Sequence, residues 1–264
     1  VGLVFVWAKR LGGAAAALGA AALVAFDPNL VAHAGLVTTD LPCTFAVLLA
    51  CFAWARLMEH PSRPRALAAG AALGFAQAAK FTGLFLVPIV GIIVLLWCWL
   101  RRTTAPIRQI PLALFAGLFT LNLCYGFSGS FTPANEIQWK SQPFSVLSSV
   151  ELPLPVPRPW IEGVDWVKHD DDQGQGRVYA SGERSHFGKS DHYLRTLPRK
   201  WPLPLMLLGL AGLVVAVRRR DEDPAKMLGF VVPPVFFLLW FSLAFNSQVG
   251  NRYLLPVVPF LALW

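Results

Sequence analysis

Residues 83–100 read GLFLVPIVGIIVLLWCWL and contain no charged side chain. A membrane-spanning helix requires about 20 predominantly apolar residues, within a range of about 17–25. The run is bounded by Lys80 on one side and by Arg101 and Arg102 on the other. The run therefore predicts a transmembrane helix with charged residues only beyond its two ends.

Apolar runs of this kind recur through the whole chain. The others lie near residues 11–32, 42–58, 66–80, 110–127, 202–217 and 227–245, with a further run that starts at 253. Only 14% of the 264 residues are charged and the mean hydropathy is +0.53, whereas soluble domains carry about 25% charged residues. The sequence thus predicts an all-α polytopic membrane protein and excludes a soluble enzyme, a disordered chain and a disulfide scaffold.

Three regions follow from the positions of these runs. Residues 1–127 are expected to hold transmembrane helices with a short external loop near 27–41. Residues 128–200 form a long loop region, and 201–264 hold further transmembrane helices, the last one truncated. The start (1–7) reads as the tail of a span and the end lies inside an apolar run, so we expect an internal piece of a larger membrane protein.

Basic residues are strongly biased toward one set of connections, which predicts orientation by the positive-inside rule. Twelve lie on one side, namely Lys9, Arg10, Arg56, Arg63, Arg65, Arg101, Arg102, Arg108, Arg218, Arg219, Arg220 and Lys226. The short connections on the other side hold only Lys80 and Arg252. We therefore expect the first side to be cytoplasmic and residues 128–200 to be external. The net charge of +8 is explained by topology, and a nucleic-acid partner is not expected.

The small Gly and Ala residues of the run at 66–80 favour close helix packing, because lipid provides no hydrophobic drive between helices. The four cysteines, Cys43, Cys51, Cys98 and Cys124, all lie in apolar runs. They have neither metal-ligand spacing nor the pattern of a disulfide framework. We expect them to be small buried hydrophobic residues.

Ionisable residues at the edge of a membrane are costly and are therefore candidates for function. Asp40 precedes Leu41-Pro42 at the expected mouth of a helix, Lys80 ends a short apolar helix, and Arg252 lies at the mouth of the last run. Each also has a structural reading: Asp40 as a helix N-cap and Lys80 as a side chain that snorkels to the headgroups. In the functional reading, the carboxylate faces a polar substrate and the two cations bind a phosphate, Arg252 in a bidentate way.

Other polar groups are weaker candidates. His33 is either a packed histidine or a functional one, and Tyr253 is either part of an aromatic belt or a substrate contact. The external loop carries many aromatic residues, which argues for order, and a proline-rich strap at 152–159. Its acidic stretch 169–172, His-Asp-Asp-Asp, suits either a solvated turn or a divalent ion.

Several motifs together resemble bacterial members of the dolichyl-phosphate-mannose–protein mannosyltransferase family, glycosyltransferase family 39. They are HAGLVTTD at 33–40, AKFTGL at 79–84 and RYLLPVVP at 252–259. Loop motifs agree as well: LPLP at 152–155, Gly163, YASGERS at 179–185, HY at 192–193 and KWPLP at 200–204. The sequence departs from the family in two places. Residues 186–191 include polar side chains where the family more often has aromatic ones, and Ala79 stands where the family more often has Thr.

The resemblance implies a GT-C-type helix bundle that moves a sugar, mannose or another hexose, from a polyprenyl-phosphate carrier to a protein, lipid or glycan acceptor. It implies that Asp40 assists the acceptor or positions the site, that Arg252 and Lys80 hold the donor phosphate, and that Glu183 and Tyr193 contact substrate. It places the protein in a bacterial inner membrane. The family's main catalytic acid lies in a first external loop expected to precede Val1. The donor is the one ligand implied, and a divalent metal stays an open question.

Two readings from other classes compete with the transferase. In a secondary transporter, Asp40, Lys80 and Arg252 would gate an anionic substrate, but transporters often show internal repeats and charges near the midplane. No convincing repeat is present, and these charges lie at helix mouths. The other alternative is an assembly subunit without chemistry.

Overall fold

The computed structural model describes residues 1–174, 178–180, 182–218 and 224–264. The helices are α1 (Gly2–Ala25), α2 (Pro28–Ala34), α3 (Asp40–Glu59), α4 (Arg63–Ala79), α5 (Leu86–Arg101), α6 (Ile110–Cys124), α7 (Gln142–Ser145), α8 (Arg158–Asp172), α9 (His192–Lys200), α10 (Leu203–Arg218), α11 (Pro224–Leu243) and α12 (Val258–Leu263). The strands are β1 (Val178–Ala180) and β2 (Glu183–Ser185). Short 3-10 helices at Phe81–Phe85, Ile107–Gln109, Ala134–Glu136, Val146–Ser149 and Arg252–Val257 join these elements.

The predicted fold class is confirmed. Five helical segments among the described residues are long and apolar enough to cross a membrane: Gly2–Ala25, Asp40–Glu59, Phe81–Arg101, Ile107–Cys124 and Ala225–Leu243. Two shorter apolar helices lie at Leu203–Val215 and Arg252–Leu263. Of the basic residues used to predict orientation, Arg219 and Arg220 lie outside the described residues.

The first helix differs from its prediction. The sequence predicts an apolar run near 11–32, whereas α1 begins at Gly2, bends at Gly13 (φ 80°) and ends at Ala25. A separate helix then starts because Asp27 caps it, with Oδ1 accepting from Leu30 N at 2.9 Å, and Pro28 occupies its first turn. Burial raises the pKa of the Asp27 carboxyl. Lys9 and Arg10, expected in a loop, lie inside α1.

The short helix α4 packs closely on α6, as its small residues predicted. A Cβ atom added to Gly70 would lie 2.0 Å from the carbonyl oxygen of Ala113, and one added to Gly74 would lie 2.2 Å from that of Gly117. These contacts let the two backbones approach without side chains between them. The prediction of close packing for residues 66–80 is therefore confirmed.

The cysteines only partly follow their prediction. All four are free thiols. Cys43 and Cys51 are buried as expected and Cys98 is half-buried, but Cys124 is exposed. The prediction is wrong for Cys124 because an apolar run in a membrane protein also contains residues that no other helix covers.

The region between α6 and α10 is folded. β1 and β2 pair antiparallel, with Tyr179 opposite Arg184, and Ser181 between them lies outside the described residues. The proline-rich strap bonds back to the start of the region, with Phe131 N donating to Leu154 O at 2.8 Å. Helix α8 buries Trp160 and Val164 against Leu121 of α6. This packing holds the region against the helical bundle.

Candidate functional site

Three charged side chains from distant parts of the chain meet in one cluster. Lys80 Nζ donates to Asp40 Oδ1 at 2.7 Å, and Arg252 Nε donates to Asp40 Oδ2 at 3.0 Å. The Asp40 side chain has no exposed surface, whereas that of Lys80 is 20% exposed and that of Arg252 is 48% exposed. Two cations thus share one buried carboxylate, so the cluster carries an excess positive charge on its accessible side.

Asp40 occupies the first turn of α3. The N-cap residue is Thr39, and the Asp40 carboxylate makes ion pairs in place of a capping hydrogen bond. Thr44 Oγ1 donates to the Asp40 carbonyl at 2.8 Å, which ties the residue into the helix. The reading of Asp40 as a simple N-cap is therefore wrong.

Lys80 is held by a close turn between α4 and the 3-10 helix at Phe81–Phe85. Lys80 has extended backbone, and its carbonyl accepts from Gly83 N at 2.8 Å. A Cβ atom on Gly83 would lie 2.3 Å from the Ala76 carbonyl oxygen, so a larger residue there would force the backbone of the turn to shift. Cys43 Sγ and Thr82 Oγ1 lie 3.3 Å apart and join this turn to α3. The Lys80 side chain consequently points to Asp40, and the headgroup-snorkelling reading is wrong.

Arg252 follows a second glycine-dependent turn. Gly250 has φ 55°, a left-handed conformation that favours glycine. The 3-10 helix Arg252–Val257 then begins, and Leu254 N donates to Asn251 O at 3.0 Å. Arg252 Nε donates to Asp40, and 48% of the Arg252 side chain remains exposed. This arrangement suits bidentate binding of an oxyanion.

Tyr253 provides an aromatic wall beside the cluster. The Lys80 ammonium lies 5.0 Å from the centroid of the Tyr253 ring, within the range of a cation–π contact. Tyr253 stacks on Phe241 with centroids 5.1 Å apart and meets Phe245 edge to face at 5.2 Å. The ring is therefore held in place by α11 and by the loop that follows it.

A cavity of about 240 Å³ opens next to Lys80 and Tyr253. Its other walls are mostly apolar and come from the bundle and from the region between α6 and α10. Phe144 and Trp240 line it, and so do the charged residues Lys168 and Asp171. The cavity places an apolar surface directly beside the cationic cluster, a combination suited to an amphiphile with an anionic group.

Helix α8 covers this side of the site by direct packing. A Cβ atom on Gly163 would lie 2.2 Å from the Phe81 ring, so α8 approaches the turn that carries Lys80. Trp160 Nε1 donates to Gln77 O at 3.2 Å. The aromatic residues and Gly163 in the connecting region therefore have a structural role in positioning the turn.

Asp171 is a residue whose role the sequence did not reveal. Asp171 is buried, and its Oδ1 accepts hydrogen bonds from Asn246 N at 2.9 Å and from Ser247 N at 2.8 Å. It thereby anchors the loop between α11 and Arg252. The reading of residues 169–172 as a solvated turn is wrong for Asp171, because two backbone N–H groups take the place of water. In the described part of the chain, no group of three His, Cys, Asp or Glu side chains is arranged to hold a metal ion.

The other predicted site residues are not joined to the cluster by hydrogen bonds among the described residues. His33 Nδ1 lies 2.8 Å from Asn29 O within α2. Tyr193 is fully buried in α9, which raises the pKa of its hydroxyl and leaves it no surface for a substrate in this conformation. Glu183 begins β2, and its side chain lies outside the described residues. Their roles as substrate contacts stay predictions.

The comparisons with known proteins bear on this arrangement. The family model for dolichyl-phosphate-mannose-protein mannosyltransferase matches residues 1–125, just under half of the chain, including Asp40 and Lys80. ArnT from Cupriavidus metallidurans bound to undecaprenyl phosphate has a similar fold, with a TM-score of 0.60 and 20% identity over 99% of this chain.

The similarity to ArnT extends to its apo structure, with a TM-score of 0.55 and 21% identity over 99% of this chain. The chain spans 42% and 41% of the length of the two ArnT chains. No curated protein sequence matches it. Arg252 lies beyond the residues that the family model matches, in a part of the chain whose fold is similar to that of ArnT.

Proposed function

We propose that this chain acts in a membrane glycosyltransferase that takes a sugar from a polyprenyl-phosphate carrier and transfers it to an acceptor hydroxyl on the external face. The observation that carries the proposal is the cluster of Lys80 and Arg252 on Asp40, beside an apolar cavity. A lipid-linked phosphate needs cations for its charge and apolar surface for its chain. The family-model match over residues 1–125 and the undecaprenyl phosphate bound in the ArnT structure support the same donor class.

The chemistry assigns a role to the cations. An acceptor oxygen attacks the anomeric carbon of the sugar, a new C–O bond forms, and the bond from that carbon to the phosphate oxygen breaks. The polyprenyl phosphate leaves with the electron pair of this bond, and the acceptor hydroxyl gives its proton to a base. Lys80 and Arg252 would stabilise the charge that develops on the leaving phosphate, the kind of preorganised electrostatic stabilisation that lowers a barrier most.

For Asp40 we propose a positioning role rather than that of the general base. Both of its carboxylate oxygens already accept from a cation, and its side chain has no exposed surface. A base must come within hydrogen-bond reach of the proton that it removes, and Asp40 would first have to release one of its partners. A buried carboxylate with both oxygens paired is better suited to hold Lys80 and Arg252 at a fixed separation than to remove a proton from an acceptor. The base would then be supplied by another residue.

The proposed orientation follows the charge bias of the connections. Asp40, Lys80 and Arg252 share one end of the bundle, which we place on the external side of a bacterial inner membrane, with residues 128–200 on the same side. The sugar is proposed to be mannose or another hexose. The acceptor class is protein, lipid or glycan.

The test uses membranes that contain the full-length protein and a polyprenyl phosphate carrying a radiolabelled hexose. Release of label from the lipid is measured for wild type, Arg252→Ala and Arg158→Gln, an exposed cation paired with Glu162 in the connecting region. The proposal predicts release by wild type and by Arg158→Gln, and a loss of about 10²-fold in kcat/KM for Arg252→Ala. Absence of release with several hexose donors, from folded wild-type protein, would instead favour transport or assembly.

A further inference from the structure

Helix α8 carries two buried aspartates that accept hydrogen bonds from backbone N–H groups of other segments. Asp165 is 2% exposed and uses both carboxylate oxygens: Oδ2 accepts from Lys140 N at 2.7 Å and Oδ1 accepts from Ser141 N at 3.0 Å. Asp171 is 3% exposed and uses Oδ1 for both of its bonds to the loop before Arg252. Asp165 is therefore fully paired, whereas Oδ2 of Asp171 has no hydrogen-bond donor in the described part of the chain.

Asp171 lies in the wall of the cavity that opens beside Lys80 and Tyr253. It is the only carboxylate among the described residues that line this cavity, and Lys168, one turn earlier in the helix, bonds to Asp172 instead. Because protein covers nearly all of Asp171, the cavity is the space that its second oxygen can share with another molecule. A buried polar atom without a partner is costly, so a hydrogen-bond donor in the cavity would be favourable.

The composition of the cavity wall suits a sugar. Pockets for small molecules combine apolar and aromatic walls with a few polar groups that fix the orientation of the ligand. The charged side chains here are those of Lys80, Lys168 and Asp171. The aromatic side chains are those of Phe81, Phe85, Phe144, Trp240, Phe245 and Tyr253. A sugar ring has C–H faces, which pack on aromatic rings, and hydroxyl groups, which donate short charge-assisted hydrogen bonds to a carboxylate.

We propose that Asp171 Oδ2 accepts a hydrogen bond from a hydroxyl group of the donor's sugar. This inference rests on the proposed function, in which Lys80 and Arg252 hold the donor phosphate. The sugar and the polyprenyl chain both begin at that phosphate, and of the two only the sugar has hydroxyl groups to donate. A sugar beside the cluster comes within reach of Asp171, because Lys80 and Asp171 line the same cavity of about 240 Å³. Asp171 would thus bind the sugar with one oxygen and, with the other, hold the loop that leads to Arg252.

The test measures how each variant discriminates between donors that differ by one hydroxyl group. Membranes that contain the full-length protein receive a polyprenyl phosphate carrying a labelled hexose or one of its monodeoxy forms, and kcat/KM is measured for release of the label. The test variant is Asp171→Asn, which keeps one oxygen for the loop and replaces the second oxygen with an N–H donor. Asp170→Asn, outside the cavity wall, is the matched control, and Asp165→Asn tests the loss of a backbone anchor alone.

Wild type is expected to disfavour one monodeoxy donor by about tenfold or more, since a hydrogen bond to a charged group contributes a factor of this order. Asp171→Asn should process the hexose less well by a similar factor. It should also accept that monodeoxy donor to within about twofold of the hexose, because the effects of removing two partners in direct contact are not additive. Asp170→Asn and Asp165→Asn should keep the wild-type ratio between the two donors, even where Asp165→Asn lowers both values of kcat/KM.

Two results would overturn the inference while leaving the proposed transfer intact. If wild type accepts every monodeoxy donor to within about twofold of the hexose, no hydroxyl group is bound in this way, and this measurement does not depend on the folding of any variant. If Asp171→Asn loses the same factor with all donors and keeps the wild-type ratio, Asp171 acts only through its loop. Absence of release from every donor by folded wild-type protein would instead contradict the proposed function, and this inference with it.

Discussion

Arg252 Nε lies 3.0 Å from Asp40 Oδ2, although 212 residues separate the two in sequence. The pair joins the first turn of α3 to the start of the last apolar segment. Lys80, which follows the end of α4, forms a second ion pair with the same carboxylate. Because the carboxylate is buried and both cations are partly exposed, Asp40 fixes the cations and the cations face outward.

The first prediction concerns the positioning role of Asp40. Asp40→Asn keeps the shape but removes the charge that holds Lys80 and Arg252, so donor KM should rise by about tenfold or more. Asp40→Glu, which retains the charge, should recover part of the loss. The readout is KM against kcat for the labelled donor. A fall in kcat of several orders of magnitude with unchanged KM would instead identify Asp40 as the base.

The second prediction concerns the geometry of Arg252. Arg252→Lys keeps a positive charge but loses the planar fork that donates two parallel hydrogen bonds. We expect kcat/KM to fall by about tenfold, less than for Arg252→Ala. Combining Arg252→Lys with Asp40→Asn should cost less than the sum of the single changes, because the residues are in direct contact. Strict additivity in this double-mutant cycle would argue against a shared function.

The third prediction tests the turn that carries Lys80. Gly83→Ala introduces a Cβ atom 2.3 Å from the Ala76 carbonyl oxygen. The backbone must shift, which should cost about 1–3 kcal/mol of stability and raise donor KM through Lys80. Gly91→Ala is the matched control, since no atom lies within 4 Å of its added Cβ. Thermal unfolding in detergent compares the two, and equal melting temperatures would contradict the close approach.

The fourth prediction concerns Asp171. Asp171→Asn removes the charge that accepts from the backbone N–H groups of Asn246 and Ser247. A charged acceptor of this kind contributes about 1.5–3 kcal/mol, so the loop before Arg252 should loosen and hydrogen exchange at residues 246–250 should increase. The control is Asp170→Asn, next to it in the same helix. Equal exchange in the two variants would mean that Asp171 does not anchor the loop.

The fifth prediction is a pH dependence of stability through His192. Burial lowers the pKa of this histidine below its ordinary value of 6.5, and the nearby Lys200 lowers it further. The unfolded chain therefore binds a proton more readily than the folded one as the pH falls below 6.5. The stabilising contribution is complete above that pH and is lost as the pH decreases toward the folded-state pKa.

Melting temperatures measured from pH 7.5 to 5 test this dependence. The fall in melting temperature on acidification should be smaller in His192→Gln than in wild type. His186→Gln, at an exposed position, is the control and should retain the wild-type slope. Identical slopes in all three proteins would contradict the assignment.

Much of the architecture follows from local patterns in the sequence. The run at 83–100 predicts a spanning helix because apolar length is the dominant signal in lipid, and the structure has Phe81–Arg101 there. The kink at Gly13 was not predictable, since apolar composition does not report a backbone angle. Asp27 and Pro28 are residue types that favour the start of a helix, but they lie within the apolar run near 11–32, which by its length predicts one continuous helix.

The site was predictable only as a set of separate candidates. Asp40, Lys80 and Arg252 stand out because each is a charge next to an apolar run. Their mutual contacts depend on long-range packing, which a single sequence does not contain. The structural role of Asp171 was hidden for the same reason, since an acidic run alone does not distinguish a solvated carboxylate from one bonded to a distant loop.

The most direct test of the central claim is the affinity of the purified protein for undecaprenyl phosphate. Binding is measured for wild type, Lys80→Gln, Arg252→Gln and the control Arg158→Gln. The account predicts a loss of about tenfold or more for each of the two cluster variants, with Arg158→Gln unchanged. Wild-type affinity in both Lys80→Gln and Arg252→Gln would contradict a phosphate-binding role for the cluster.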